Sequence, residues 1–224
     1  MKKTISIMTA VVLLGFATHA MANTYIIDLP QTNTIRSYGY PNTATYGQTF
    51  KAPSAAFNVL NQWTFTLERI EGEPLIMPLP SQFYVMEWDG LEATGSILYE
   101  SNEFVFNPND SSRDFTFTPN LGLDPSKTYV AFINCSPFIQ DVQDTLGTDA
   151  SIQVGMAGSD QDLYTNGNFV FMNDGPDFDL LTRNPWEQWP QNTAFRAVFV
   201  PEPGMLMMLV VGLGLVGLRR RKTT

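Results

Sequence analysis

Trp63-Thr64-Phe65-Thr66-Leu67 places an apolar residue at every second position with a threonine between each pair. A period of two is the signature of a strand with one face on a core and one in water. The same alternation recurs at Phe115-Thr116-Phe117-Thr118 and at Phe195-Arg196-Ala197-Val198-Phe199. Fuller apolar runs at 82–88, 104–106, 128–135 and 168–172 read as strands covered on both faces. Turn chemistry separates these segments: Glu71-Gly72-Glu73-Pro74, Trp88-Asp89-Gly90, Asn107-Pro108-Asn109-Asp110, Asp124-Pro125-Ser126 and Asn173-Asp174-Gly175-Pro176. The pattern predicts an all-β, single β-sandwich domain with jelly-roll-like topology. It shows no helical stripe of useful length and no internal repeat.

Both ends of the chain have a different character. Lys2 and Lys3, the apolar run 5–16 and Ala20-Met21-Ala22 follow the order of a secretory signal peptide, with cleavage expected after Ala22 and Ala20 as the alternative. Residues 1–22 are therefore assigned to export, 23–200 to the folded domain and 201–224 to a second processing segment. That last segment holds Pro201-Glu202-Pro203-Gly204, an apolar stretch from Met205 to Leu218, and Arg219-Arg220-Arg221-Lys222. Fourteen helical residues rise about 21 Å, short of the roughly 30 Å hydrocarbon core. Snorkelling of the cations makes a shallow transmembrane helix feasible and holds the C-terminus on the cytoplasmic side.

The ordered trio of Pro201-Glu202-Pro203-Gly204, the Gly-rich apolar helix and the arginine tail resembles the PEP-CTERM sorting signal. The resemblance implies export in a Gram-negative bacterium that makes exopolysaccharide, a transient stop in the inner membrane, and processing by an exosortase-type enzyme. Met205 departs from the small hydroxyl residue common after the Gly. Tyr46-Gly47-Gln48-Thr49-Phe50, Tyr84 through Gly90, Ala93-Thr94-Gly95 with Leu98-Tyr99, and Tyr129-Val130-Ala131-Phe132 also resemble the lectin-like, jelly-roll ectodomains found among PEP-CTERM proteins. That likeness implies carbohydrate binding as a function class.

Charge and composition narrow the chemistry. Residues 23–203 carry seven Lys and Arg against all twenty-two Asp and Glu, a net charge of −15. Nucleic acid and anionic membranes reward clustered cations, so neither is an expected partner. Cys135 is the single cysteine, which excludes an intrachain disulfide; it reads as a buried thiol or, alternatively, as an intermolecular or reactive one. His19, the single histidine, lies in the signal peptide. The exported part thus lacks an imidazole for a nucleophile triad, a zinc site or a histidine base.

Three constellations remain. Trp186 and Trp189 stand between Pro185 and Pro190 in an expected loop, where aromatic faces could stack on a sugar or plug the sandwich. Asp174, Asp177 and Asp179, with Asp160 and Asp162 nearby, offer oxygen ligands suited to calcium, or are solvated turn carboxylates. Glu71 with Glu73 and Glu87 with Asp89 are pairs of the kind a glycosidase needs. The reading that combines these features is a non-enzymatic surface or matrix protein, structural or adhesive, associated with exopolysaccharide. No cofactor is required, calcium being the one candidate. The alternative is a carboxylate-dependent glycan hydrolase or lyase delivered by the same route.

Overall fold

A computed structural model describes residues 23–41, 43–73, 75–147, 151–159 and 163–202. The expected signal peptide with Ala20 and Ala22, Asp160, Asp162, Pro203, Gly204, the apolar stretch 205–218 and Arg219, Arg220 and Arg221 lie outside the described residues. Among the described residues no helix is long and apolar enough to cross a membrane.

The chain begins with β1 (Tyr25–Asp28), β2 (Asn33–Tyr40), β3 (Thr45–Phe50), β4 (Val59–Glu68) and β5 (Leu79–Trp88). It continues through β6 (Ala93–Glu100), β7 (Phe104–Phe106), β8 (Ser112–Phe117), β9 (Leu121–Gly122) and β10 (Thr128–Asn134). After helix α1 (Ile139–Leu146) come β11 (Ile152–Ser159), β12 (Phe169–Met172), β13 (Glu187–Trp189), β14 (Asn192–Thr193) and β15 (Phe195–Val200). Two sheets result, of eight and seven strands, and their ladders are antiparallel. β1, β2, β4, β8, β9, β11, β14 and β15 form the first; β3, β5, β6, β7, β10, β12 and β13 form the second. The chain crosses between them repeatedly, which makes a sandwich.

The two sequence patterns sort onto the two sheets. The three alternating stretches are neighbours in the first sheet, with β4 between β15 and β8, so that Phe195, Phe65 and Phe115 form one row and Ala197, Trp63 and Phe117 the next. Their apolar side chains point into the sandwich, while the threonines face outward and bond across strands, Thr64 to Thr116 at 2.9 Å. Inside, Trp63 stacks on Phe195 at 4.6 Å and meets Phe50 of the other sheet at 4.8 Å. Phe83 and Phe117 close the same gap at 4.3 Å.

The continuous runs β5, β10 and β12 lie in the second sheet, and both of its faces are covered. Its outer face carries Tyr84, Met86, Val130, Phe132, Val170 and Met172. A 3₁₀ turn at Phe178–Thr182 and the following Trp186 lie over it. Strands buried on both sides offer few positions at which a polar residue is favoured, which is why they read as near-continuous apolar runs. α1 is the element that strand patterning does not register. Its Ile139 and Val142, three positions apart, are buried, and Gly147 at φ 85° ends it.

Trp186 is therefore a packing residue. It meets Trp88 edge-on at 5.4 Å and Phe132 at 5.3 Å, and its indole N–H donates to the Leu181 carbonyl at 2.9 Å. Truncating a buried tryptophan costs about 3–5 kcal/mol. Urea denaturation of Trp186→Ala should show a loss of that size, while Trp189→Ala, on the surface, should lose about 1 kcal/mol or less. Equal losses would contradict the assignment of the covered face.

Candidate functional site

The segment expected to be a loop is a strand, and it separates Trp186 from Trp189. Glu187–Trp189 is a strand, the edge of the second sheet, and consecutive side chains on a strand alternate between faces. Trp186 goes under the outer layer at 4% exposure, out of reach of a ligand, while Trp189 is 45% exposed. Trp63, Trp88 and Trp186, the other three tryptophans, are buried.

Trp189 leans edge-on against Phe171 at 5.3 Å and Phe169 at 5.7 Å, and Phe169 meets Tyr46 at 5.0 Å. These rings wall one side of a cleft of about 190 Å³ at the open side of the sandwich. The opposite wall is β2 of the first sheet, at Arg36 and Ser37. There the ladder to β11 slips: Ile35 pairs with Met156 and Tyr38 with Val154, so Arg36 and Ser37 together oppose Gly155. Two residues against one is a β-bulge, which bends a strand and re-aims its side chains. Ser37 takes a φ of 81°, a left-handed conformation costly for a residue with a Cβ, and such outliers concentrate at functional sites. Tyr46 hydroxyl donates to the Arg36 carbonyl and pins the bulge to the opposite sheet. Thr43 and Asn173 complete the polar side, joined by a hydrogen bond of 2.7 Å.

The cleft thus offers a partly exposed indole, an amide, hydroxyls and one guanidinium. Small-ligand sites combine apolar walls with a few convergent polar groups in this manner. Sequence reasoning found Trp189, and Asn173 only as a turn residue, but not Arg36, Ser37 or Thr43. A glycine interrupting a strand, as Gly39 does, is the signal that could have located the bulge.

Behind Asn173 lies Asp174, the first of the three candidate calcium ligands, in a buried cluster whose other members the sequence did not single out. Asp174 is 3% exposed. Its Oδ1 accepts from the Thr45 hydroxyl at 2.9 Å, and its Oδ2 accepts from the Asn134 amide at 3.0 Å and the Ser136 hydroxyl at 2.7 Å. Burial pushes its carboxyl up to about 6, against the pull of these neutral donors. The other two candidate calcium ligands serve local turns. Asp177 accepts from the Asp179 backbone N–H, and Asp179 pairs with Arg183 on the surface. Among the described residues no three His, Cys, Asp or Glu side chains are grouped as a metal site would require.

The remaining candidates are placed as follows. Glu87 is held by Lys127 at 2.6 Å. Asp89 accepts from the backbone N–H groups of Glu92 and Leu91, which hold its carboxyl below the usual range. Glu71 and Glu73 are exposed in a turn. Cys135 is buried in the sandwich core, and burial raises its thiol well above the ordinary value. At the C-terminal edge of the fold, β15 runs directly into Pro201, and the Glu202 carboxylate accepts from the Asn58 amide at 2.7 Å.

The comparison with known families decides what this last segment is. Residues 199–222 match the model of the PEP-CTERM protein-sorting motif. The chain carries a PEP-CTERM sorting motif. This motif marks the chain for export and for processing by an exosortase-type enzyme. Its destination is the cell surface or extracellular space, by way of the inner membrane. No curated protein matches the sequence. Among solved structures, the chain is similar to the cysteine protease and lectin-like domains of Cwp84, a surface layer associated protein of Clostridium difficile. The identity is 12% and the TM-score 0.48, over 80% of this chain and 36% of that one, so the chain spans about a third of that structure's length.

Asp174 gives the site a pH signature. A carboxyl whose pKa rises on folding binds its proton more tightly in the folded state, so its contribution is complete below the unfolded value near 3.8 and is lost as pH rises through about 6. Two units correspond to about 3 kcal/mol. Denaturation between pH 4 and 7 should therefore show stability falling more steeply with pH in the wild type than in Asp174→Asn. Parallel profiles for the two proteins would contradict the environment assigned to Asp174.

Proposed function

We propose that the exported domain is a non-catalytic glycan-binding protein of a Gram-negative cell surface, with a structural or adhesive role, and that it holds exopolysaccharide through the Trp189 cleft. The observation that carries this reading is Trp189 itself, an indole left 45% exposed on an edge strand and faced by a strained bulge from the other sheet. An aromatic face gives a pyranose ring a flat apolar partner, and Asn173, Thr43, Ser37 and Arg36 supply hydrogen bonds for its hydroxyls. Supporting a non-catalytic role, Glu87 is engaged by Lys127 and Asp89 by its own turn. The basic tail and apolar stretch would hold the chain in the inner membrane while the Pro-Glu-Pro segment is processed.

In a pull-down with the host's own polysaccharide, Trp189→Ala should lose at least about tenfold in affinity, a difference of about 1.4 kcal/mol, while keeping its fold. Retained binding by a folded Trp189→Ala protein would exclude the cleft. Sorting is tested separately by intact mass. Protein recovered from the surface or medium should lack residues 1–22 and the tail beyond about Gly204, whereas the triple variant Pro201→Ala, Glu202→Ala, Pro203→Ala should retain the tail. Wild-type surface protein still bearing Arg219–Thr224 would contradict processing.

A further inference from the structure

The buried cluster at Asp174 has the parts of an acyl-transfer centre, and none of them is used by the cleft. Thr45 and Asn134 stand directly opposite each other on β3 and β10, the central strands of the second sheet. The Asn134 amide donates a hydrogen bond to Thr45 Oγ1 at 2.5 Å, shorter than the ordinary N–H···O range, which holds the hydroxyl against the side-chain amide. Asp174 Oδ1 accepts the Thr45 hydroxyl proton at 2.9 Å, the position of a general base toward a hydroxyl nucleophile. Asp174 Oδ2 lies 3.0 Å from the Asn134 nitrogen, the atom that would leave. The Asn134 carbonyl oxygen receives the Ser136 backbone N–H at 2.9 Å, a donor placed where an oxyanion would form. The Ser136 hydroxyl bonds to Asp174 Oδ2 and fixes the carboxylate. Thr45, Asn134, Ser136 and Asp174 are all buried.

From this geometry we propose that Thr45 and Asn134 form an intramolecular ester cross-link, with Asp174 as the proton-transfer residue. Thr45 Oγ1 attacks the Asn134 side-chain carbonyl carbon while its proton passes to Asp174. The tetrahedral oxyanion is held by the Ser136 N–H. On its collapse the carbon–nitrogen bond breaks, and the departing nitrogen takes the proton back from Asp174 and leaves as ammonia. One C–O bond replaces one C–N bond, Asp174 ends as it began, and no oxidant or reductant is consumed. A carboxyl that exchanges its proton near neutrality suits both transfers.

The span is compatible with the backbone. The chain Cα–Cβ–O–C–Cβ–Cα has as many bonds as a disulfide bridge, whose Cα separations of about 4.4–6.8 Å cover the distance between opposed residues of an antiparallel ladder. Burial would shield the ester from water. The cross-link would also supply what the cysteine content denies to an exported domain, since Cys135 has no partner in the chain. It would clamp the two strands at the end of the sheet next to the Trp189 cleft.

Tryptic mapping of the full chain at mildly acidic pH tests the proposal. Cleavage after Arg36, Lys51, Lys127 and Arg183 isolates residues 37–51 from residues 128–183. The expected product is one branched species, lighter than the sum of the two peptides by one ammonia and separated into two by hydroxylamine. Thr45→Val and Asp174→Asn should each give linear peptides. Recovery of linear wild-type peptides at full mass would overturn the cross-link. Loss of ammonia confined to residues 128–183 and located at Asn134 by fragmentation, rather than at Asn166-Gly167, would also overturn it, by placing the chemistry within the Asn134–Ser136 turn. A cross-link persisting in a folded Asp174→Asn protein would overturn the role given to Asp174.

Discussion

The structure turns on the packing of Trp186 against the outer face of the second sheet. Together with Phe178 on Tyr84 at 5.1 Å, it joins the strap at residues 178–189 to the sheet it covers. The indole rests on Trp88 and Phe132 and its N–H is satisfied by Leu181, while the Trp186 backbone N–H donates to Leu91 at 2.8 Å. Without that cover, Tyr84, Met86, Val130, Phe132 and Val170 would form an apolar patch on the surface of an exported protein. With it, the second sheet is a two-sided core. The first sheet keeps one face in water and carries its threonines there.

The strap also sets the position of the cleft. From buried Trp186 the chain passes directly into β13, whose pairing with β12 fixes Trp189 beside Phe169 and Phe171. Gln188 ties the same strand to the Gly90 carbonyl at 2.9 Å. The indole available to a ligand is therefore held by backbone on one side and by buried rings on the other. Little conformational entropy remains to be lost on binding, a condition that favours affinity from a small contact. The bulge at Arg36 and Ser37 provides the facing wall, and Tyr46 links the two walls.

How much of this the sequence disclosed depended on the physical range of each signal. Alternation at Trp63–Leu67 and continuity at Thr128–Cys135 report which faces are buried, so they revealed these strands and which are covered on one face or on both, but not that the two kinds belong to different sheets. The sorting segment was legible because its order of motif, apolar stretch and cations is itself local. Trp186 and Trp189 show where local reading fails. They are three residues apart with similar flanks, and only the strand between them and the position of Trp88 decide that one is buried and the other is not. Asp174 likewise reads as a turn residue in Asn173-Asp174-Gly175-Pro176. Its partners Thr45 and Asn134 lie far away in sequence and meet only through the β3–β10 ladder.

Trp189 is the most exposed of the four tryptophans, so the protein's own emission can report on the cleft. The most direct measurement is acrylamide quenching of tryptophan fluorescence in the wild-type protein, with and without the host's polysaccharide. The account predicts a minor, quencher-accessible component, absent from Trp189→Phe, that becomes protected as polysaccharide is added. Polysaccharide that binds the protein yet leaves this component fully quenchable would contradict the cleft as the binding site.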